Sequence, residues 1–104
     1  MSAPHSQHPA VPETSSMLVL STAHMSPQTA ASWIAQCPWA CFEKGEWGWF
    51  MHVCDDPGIT EAEGVPFEIR SALHVARQLR CAWIMWDRDG PIIAELPNYD
   101  WGPA

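Results

Sequence analysis

Short apolar runs separated by polar turns predict five β-strands along this chain. The first lies at 17–23, where the sequence reads MLVLSTA. Runs of this length are typical of strands rather than helices. Aromatic and β-branched residues crowd both sides of Lys44-Gly45, which predicts a hairpin whose turn uses the glycine. The other four strands are predicted at 39–43, 46–54, 82–86 and 91–94.

Two stretches instead carry apolar residues at helical spacing. Ser26 followed by Pro27 predicts a helix start, because Ser is a favoured cap and Pro suits the first helical position. This helix ends before Pro38, and a second runs from Pro66 to near Arg80. The second helix is expected to bury one face, formed by Ile69, Ala72, Leu73, Ala76 and Leu79. Its opposite face carries three basic residues that we expect to be solvated: Arg70, His74 and Arg77.

The order of these elements predicts an α+β fold of the ferredoxin-like βαββαβ type with an additional C-terminal edge strand. That plan places two helices on one face of an antiparallel sheet with strand order 4-1-3-2. The fifth strand is expected at the edge beside the fourth, because Pro91 has no N–H to donate. Residues 1–16, rich in Pro and Ser, predict a flexible leader, and 17–104 a single domain.

Charge and tryptophan content narrow the functional classes. The chain has 12 acidic and 5 basic residues in 104, a formal net charge of −7, and seven Trp. A negative field disfavours direct binding to nucleic acid or to an anionic membrane and favours a protein partner with a basic surface. No apolar run is long enough to span a bilayer, and no signal peptide is recognised. The four cysteines are therefore expected as free thiols: Cys37, Cys41, Cys54 and Cys81.

One segment resembles catalytic chemistry. The strand and turn WIMWDRDGPI, with Asp87 and Asp89, resemble the nucleophile loop of haloacid-dehalogenase-type phosphatases. Such a loop needs a following helix, whereas only fourteen residues follow Gly90 and they begin with a predicted strand. A hairpin turn is the favoured interpretation, since Asp and Gly are typical turn residues.

A metal site and a nucleophilic dyad are weaker alternatives. Cys37 and Cys41 have metal-ligand chemistry, but one ends a helix and the other lies within a strand, so convergence is not expected. Ser21, Thr22 and His24 lie where the first strand meets the first helix, but no hydrolase motif flanks them. Ser21 and Thr22 are therefore interpreted as strand-end or turn hydrogen bonders. We therefore predict no enzyme, no metal and no cofactor. A small metal-dependent hydrolase or metal-binding protein using Asp87 and Asp89, or the Cys and His residues, remains the alternative.

The sequence offers two candidate interaction surfaces. Period-2 spacing puts Trp47, Trp49, Met51 and Val53 on one face of the third strand, with Phe50 and His52 on the other. An exposed Trp forgoes ~2–3 kcal/mol of burial, so large side chains on both faces indicate cover by the tail, a homodimer or a protein interface. The second candidate is the loop at 55–65, whose acids either are merely solvated or meet a basic partner. The predicted partner-binding residues are Trp47, Trp49, Asp55, Asp56, Glu61 and Glu63.

Two segments also carry a family resemblance. LVLSTAHMSPQTA at 18–30 and WDRDGPIIAELPNYDW at 86–101 resemble a family of small proteins carried by proteobacterial plasmids, integrative elements and phages. The resemblance implies a mobile genetic element and a cytoplasmic location in a bacterial host. Small acidic proteins in that setting resemble anti-CRISPR and anti-restriction inhibitors. We therefore expect a non-enzymatic inhibitor that occupies a basic, nucleic-acid-facing surface of a host defence complex.

Overall fold

Four strands form a single mixed sheet in the computed structural model, which describes residues 11–102. They are β1 Met17–Ser21, β2 Cys41–Glu43, β3 Gly48–His52 and β4 Trp83–Asp87, in the order β1-β4-β3-β2. β1 runs parallel to β4, whereas β4 with β3 and β3 with β2 are antiparallel. The predicted α+β class is confirmed. Of the predicted leader, residues 1–10 lie outside the described part of the chain.

The predicted strand order 4-1-3-2 differs from the observed order. β4 pairs along its whole length with β1 on one side and with β3 on the other, so it takes the central place that the ferredoxin-like plan gives to β1. The antiparallel pairing sets Trp49 opposite Trp86, which joins two large side chains across the centre of the sheet. β1 is consequently an edge strand. The finer expectation of two helices on one face is not confirmed.

The helices are shorter and less regular than predicted. α1 Pro57–Thr60 is a single turn, and α2 Phe67–Gln78 is the one long helix of the described residues. The first predicted helix contains a π-helical stretch, Thr29–Trp33, followed by the 3-10 turn Ile34–Gln36. Ser26 caps it as predicted, because its Oγ accepts the Thr29 N–H at 3.1 Å.

The predicted fifth strand at 91–94 does not form. Instead the chain leaves β4 through a tight turn and crosses the end of β1, where the Pro91 carbonyl accepts the Ser21 N–H at 2.8 Å. A Cβ on Gly90 would lie 2.7 Å from the Leu20 carbonyl oxygen, so only glycine allows this close crossing. The remaining residues form an irregular C-terminal tail, 91–102.

One face of the sheet packs against α2 and forms the core. The strands contribute Leu20, Met51, Ile84 and Trp86, and Val53 follows directly after β3. Helix α2 contributes Ile69, Ala72, Leu73 and Ala76, and the connecting segments add Met25, Ile34, Val65 and Leu96. The expectation that Leu79 is buried is wrong: it is 59% exposed, because α2 ends at the preceding residue.

The other face of the sheet carries a second apolar set that does not pack against this core. We call it the open face, and its members are Met17, Val19, Phe42, Phe50, Trp83 and Met85. Trp83 lies against the His52 ring at 5.2 Å and near Phe42 at 6.3 Å between ring centroids. Large apolar side chains therefore occupy both faces. Within residues 11–102, no helix has the length and apolar character that crossing a bilayer requires.

Candidate functional site

An open cleft of about 740 Å³ lies where β1 and β4 end. The β2–β3 hairpin forms one wall, and the C-terminal tail forms the other. We call it the aromatic cleft because four of its lining side chains are aromatic: Trp47, Trp49, Tyr99 and Trp101. Its other charged or hydroxyl-bearing lining residues are Ser21, Thr22, Glu43, Glu46, Arg88 and Asp100.

Glycines shape the hairpin wall. Gly45 has a φ of +58°, which suits the tight turn after Lys44. At Gly48 a Cβ would lie 1.6 Å from the Trp86 carbonyl oxygen, so the hairpin is pressed against β4. With the hairpin this close to β4, Trp49 is half-buried against the core. Trp47 lies on the rim of the cleft and is 46% exposed.

The predicted aromatic pair therefore divides between two environments. Trp49 shares the core face with Met51 and Val53, as the alternation predicts. Trp47 instead lies in a 3-10 turn, Gly45–Trp47, before the strand begins, so the strand alternation does not extend to it. The structure nevertheless brings Trp47 and Trp49 together as lining residues of one cleft.

A buried histidine holds the tail wall. His24 is 1% exposed, and its Nε2 accepts the Ile93 N–H at 2.9 Å. This places the ring proton on Nδ1, which donates to the Pro97 carbonyl at 2.7 Å. One imidazole thus ties two points of the tail, Ile93 and Pro97, to the segment that follows β1. The sequence indicated His24 only as part of a disfavoured catalytic or metal-binding set, and this anchoring role was not predicted.

Two further bonds set the end of the tail. The Tyr99 N–H donates to the Ala23 carbonyl at 2.8 Å, and Trp101 Nε1 donates to the Met25 carbonyl at 2.9 Å. The Trp101 ring is fixed by its polar edge and remains 45% exposed. Both aromatic residues thus pack back onto the body of the domain.

The charge of the cleft is predominantly negative. Glu43, Glu46 and Asp100 are exposed carboxylates on its walls, and Arg88 is the one basic lining residue. The Arg88 guanidinium lies 5.0 Å from the centre of the Trp47 ring. This cation–π contact shows that the exposed face of Trp47 accepts a guanidinium.

The segment with Asp87 and Asp89 forms a turn, but not the hairpin turn favoured from the sequence, because no strand follows it in the described part of the chain. The Gly90 N–H donates to the Asp87 carbonyl, and the Asp89 N–H donates to Asp87 Oδ1, both at 2.8 Å. Lys44 Nζ lies 3.2 Å from the other carboxylate oxygen. The Asp89 N–H and the Lys44 ammonium lower the pKa of Asp87. In the described chain, no three His, Cys, Asp or Glu side chains form a group that could hold a metal.

The predicted acidic residues lie away from the aromatic cleft. Asp55, Asp56, Glu61 and Glu63 are all exposed, but they follow β3, whereas Trp47 precedes it. A strand advances ~3.3 Å per residue, so five residues separate the two groups by about 16 Å. The structure therefore does not unite the predicted partner-binding residues in one site.

Two of these acids already have local structural roles. Asp56 Oδ1 accepts the Gly58 N–H at 2.9 Å and caps α1. Asp55 Oδ1 lies 3.9 Å from Arg77 Nε. Arg77 also donates to the Cys54 carbonyl and to Thr60 Oγ1. The expectation that Arg77 is merely solvated is wrong, because its guanidinium ties α2 to this loop.

Glu68 is a buried acid in the first turn of α2, five residues after Glu63 of the acidic loop. It is 6% exposed and accepts the Ser26 N–H at 3.0 Å and the Thr29 hydroxyl at 2.8 Å. Burial raises its pKa, but these bonds outweigh burial and hold the pKa below the ordinary value. Glu68 lies four residues before Ala72, which is on the buried face of α2, and this helical spacing was the sequence signal that Glu68 is buried. Burial and the Glu68 charge together raise the pKa of Tyr99.

A four-stranded mixed sheet, one long helix and an aromatic, acidic cleft define a small α+β domain. A family described as "Family of unknown function (DUF5983) C-terminal domain" matches residues 17–101, and the chain belongs to it. The match begins at the first residue of β1 and ends at Trp101, on the rim of the cleft. No curated protein and no solved structure matches the chain.

Proposed function

We propose that this chain is a non-enzymatic binding protein that holds a basic segment of a protein partner in the aromatic cleft. One observation carries the proposal: Trp47 and Trp101 stand half-exposed on a rim that also bears three carboxylates. Exposed Trp loses burial energy unless a partner covers it, and Trp is a frequent anchor of protein interfaces.

The chemistry of the cleft favours arginine over a neutral ligand. Arg88 already rests on Trp47, so this ring and its surroundings suit a planar cation. A second guanidinium entering the cleft meets the Trp101 ring and three carboxylates: Glu43, Glu46 and Asp100. Bidentate carboxylate pairing and stacking on aromatic rings are the two contacts in which arginine exceeds lysine.

The acidic loop at 55–65 has a secondary role in this proposal. Asp55 and Asp56 are engaged by Arg77 and by the α1 cap, which leaves Glu61 and Glu63 as its freer charges. The loop itself contains no aromatic residue. The exposed Phe67 of α2 lines a pocket with Glu61, but the basic Arg70 and His74 line the same pocket, which disfavours a basic ligand there. Exposed charges without anchors act mainly on association rate and salt dependence. The loop thus steers a basic partner that the cleft then holds.

The proposed biological role is inhibition of a host defence complex of the anti-CRISPR or anti-restriction type. A net charge of −7 on 104 residues matches a surface that normally binds nucleic acid. A protein that fills such a surface excludes the nucleic acid by competition. The resemblance of 18–30 and 86–101 to proteins of plasmids, integrative elements and phages supplies the setting for this role.

The binding proposal is tested with a fluorescent arginine-rich peptide. The Glu46→Lys/Asp100→Lys double variant is expected to lose at least about tenfold in affinity, since it removes two cleft carboxylates. The Glu61→Lys/Glu63→Lys variant changes the net charge equally but is expected to lose less than about threefold, mostly at low salt. Equal losses in the two variants would show that net charge, and not the cleft, binds the peptide.

The inhibitory role needs a separate assay. Purified CRISPR effectors and restriction nucleases are incubated with the protein before DNA is added. Inhibition is expected to approach one protein per complex and to weaken in the Glu46→Lys/Asp100→Lys variant. If no enzyme is inhibited although the peptide still binds the cleft, the defence-related role fails and the binding function remains.

The open face favours a second candidate, a homodimer. Phe42 is 57% exposed and Met17 41%. Four strands ~4.8 Å apart and about 16 Å long offer only about 300 Å², well below the ~800 Å² per partner of a standard interface. We therefore rank this candidate second and expect weak association. Light scattering at rising concentration decides it: a Phe42→Ser variant should lower the apparent mass, and a strictly monomeric parent protein contradicts the dimer.

A further inference from the structure

A separate pocket of about 420 Å³ lies between α2 and the C-terminal tail. It shares no lining residue with the aromatic cleft, and its volume is in the range of small-molecule sites, about 300–1,000 Å³. The tail contributes Glu95 and Leu96, and Glu61 comes from the end of α1. We call it the helix pocket, because α2 supplies its other lining residues: Phe67, Arg70, Ser71, His74 and Val75.

The walls of the helix pocket are fixed by the fold. α2 is held against the sheet by its buried face. The tail is held by His24 at Ile93 and at Pro97, on either side of its two lining residues, and Leu96 itself belongs to the core. Glu61 ends α1, where its N–H closes the last turn of that helix. A ligand therefore meets a largely preformed site.

Arg70 is a cation without a partner in this pocket. Its side chain is half-buried, and its Nε is covered from solvent without an acceptor among residues 11–102. The two ion pairs of these residues lie elsewhere, between Lys44 and Asp87 and between Arg77 and Asp55. Buried donors and charges are normally paired. The expectation that Arg70 is merely solvated is therefore wrong, and an anionic group of a ligand would supply the missing partner.

Side chains of both signs line the helix pocket. Arg70 and His74 are one helical turn apart on α2, and Glu61 and Glu95 come from the other two elements. Within the described chain, neither acid forms an ion pair with Arg70 or His74. A purely anionic ligand is disfavoured by the two carboxylates, and a purely cationic one by the guanidinium. A ligand that carries both charges suits all of these groups.

The rest of the lining calls for an apolar group on the same ligand. Phe67 is 63% exposed at the first residue of α2, and Val75 and Leu96 line the pocket with it. An exposed Phe ring gains burial when a ligand covers it, and aromatic rings pack favourably on one another. Ser71 adds a hydroxyl beside these apolar side chains.

We propose that the helix pocket binds a small zwitterion with an aromatic side chain, of the class of aromatic α-amino acids. The carboxylate of the ligand pairs with the Arg70 guanidinium, whose planar fork suits a two-point contact. The ammonium group lies near Glu61 and Glu95, and the aromatic ring covers Phe67. The binding is non-covalent. It does not depend on the proposed function of the aromatic cleft, because the two sites have no residue in common.

The test is a titration of the full-length protein with L-phenylalanine, followed by two-dimensional NMR of the backbone amides. Saturable shifts are expected at residues 67–75 and not at 45–49 of the aromatic cleft. Phenethylamine lacks the carboxylate and 3-phenylpropionate lacks the ammonium, so each should bind at least about tenfold more weakly. Lack of saturation up to about 10 mM overturns the proposal, as do shifts confined to the aromatic cleft or equal affinities for the three compounds.

Variants assign the two charged contacts. Arg70→Gln should weaken L-phenylalanine at least about tenfold but change phenethylamine less than about twofold, because that ligand has no carboxylate to lose. Glu95→Gln should weaken phenethylamine and leave 3-phenylpropionate no weaker. Arg80→Gln makes the same charge change as Arg70→Gln at an exposed residue outside the pocket and should leave L-phenylalanine within about twofold. Equal losses of L-phenylalanine and phenethylamine in Arg70→Gln would overturn the carboxylate contact. The ligand series on the unaltered protein decides the proposal if a variant folds poorly.

Discussion

The two ends of β3 both display acidic residues, yet they use them differently. At the cleft end, Glu43, Glu46 and Asp100 stand exposed among Trp47 and its aromatic neighbours. At the loop end, two of the four acids stabilise the loop itself: Asp56 caps α1, and Asp55 lies beside Arg77. The comparison shows that the number of acids at a surface says little about recognition. What matters is whether the charges are free and whether anchoring side chains lie beside them.

The two ends are also held by different means. The cleft end depends on a tail without regular structure, tied down by His24 and by single hydrogen bonds at Tyr99 and Trp101. The loop end depends on Arg77 of α2, whose guanidinium reaches three groups. Variants that remove one anchor at a time test whether the ends are independent.

The largest effect is expected for His24→Ala. The change removes two hydrogen bonds of a buried ring and leaves the Ile93 N–H and the Pro97 carbonyl without partners, which should cost about 2–4 kcal/mol in the free energy of unfolding. Urea denaturation followed by Trp fluorescence measures it. His74→Ala, at an exposed position on α2, is the control and should change stability by less than about 0.5 kcal/mol. Similar losses in both variants would contradict the anchoring role of His24.

Sequence reasoning was informative about this anchor only in part. It offered the tail as one cover for the large apolar side chains of the sheet. It did not predict the anchoring role of His24, because its partners Ile93 and Pro97 lie 69 and 73 residues away in the chain. It wrongly assigned 91–94 to a strand, since the apolar run Pro91-Ile92-Ile93 has strand-like composition. Residues 91–94 do not form a strand because the chain crosses the end of β1 at Gly90. This crossing depends on a contact with Leu20, seventy residues away in the chain.

The second effect concerns Glu68, whose carboxylate holds Ser26 directly after Met25, the acceptor of the Trp101 bond. Glu68→Ala should cost about 1–3 kcal/mol, because the Ser26 N–H and the Thr29 hydroxyl lose a charged acceptor. Glu63→Ala, at an exposed position, should be nearly neutral. Chemical denaturation at pH 7 compares the two, and equal effects would refute the buried role of Glu68.

The same carboxylate gives a pH dependence of defined sign. Its pKa in the folded protein lies below the ordinary value of 4.5, so the unfolded chain binds this proton more readily. The stabilising contribution is complete above that value and is lost as the pH falls through the folded pKa. Glu68→Gln removes this component, and its stability should therefore decline less steeply than that of the parent protein below pH 4.5. Parallel curves would contradict the assignment.

The third effect tests the loop end. Arg77→Met keeps much of the aliphatic stem but removes the bonds to the Cys54 carbonyl and to Thr60, which should cost about 1–2 kcal/mol. Arg80→Met is the matched control at an exposed residue. If the two ends are independent, arginine-rich peptide affinity in the aromatic cleft should not change with Arg77→Met. A loss of affinity equal to that of the cleft variants would show that the ends are coupled.

The sequence predicted those parts of the candidate site whose chemistry depends on single residues, and not the way in which separate segments come together. Seven tryptophans and an excess of acids indicated an interface, and Trp47 and Trp49, two of the predicted partner-binding residues, do line one cleft. Glu43, Glu46 and Asp100 were not, because they lie on separate segments that only the crossing tail brings together. Strand order failed for a related reason: pairing partners depend on side-chain contacts across strands, which local spacing does not encode.

The smallest effect distinguishes the two ends most directly. Arg88→Gln removes the guanidinium from Trp47 and should cost only about 0.5 kcal/mol of stability, the value of an exposed cation–π contact. Yet it frees the ring and makes the cleft more negative, so the affinity for the arginine-rich peptide should rise about threefold. Arg80→Gln makes the same charge change away from the cleft and should raise affinity less. Isothermal titration of both variants measures the difference. If Arg88→Gln weakens binding, Arg88 is part of the recognition surface instead of occupying the place of the ligand, and the role of the Trp47 ring must be revised.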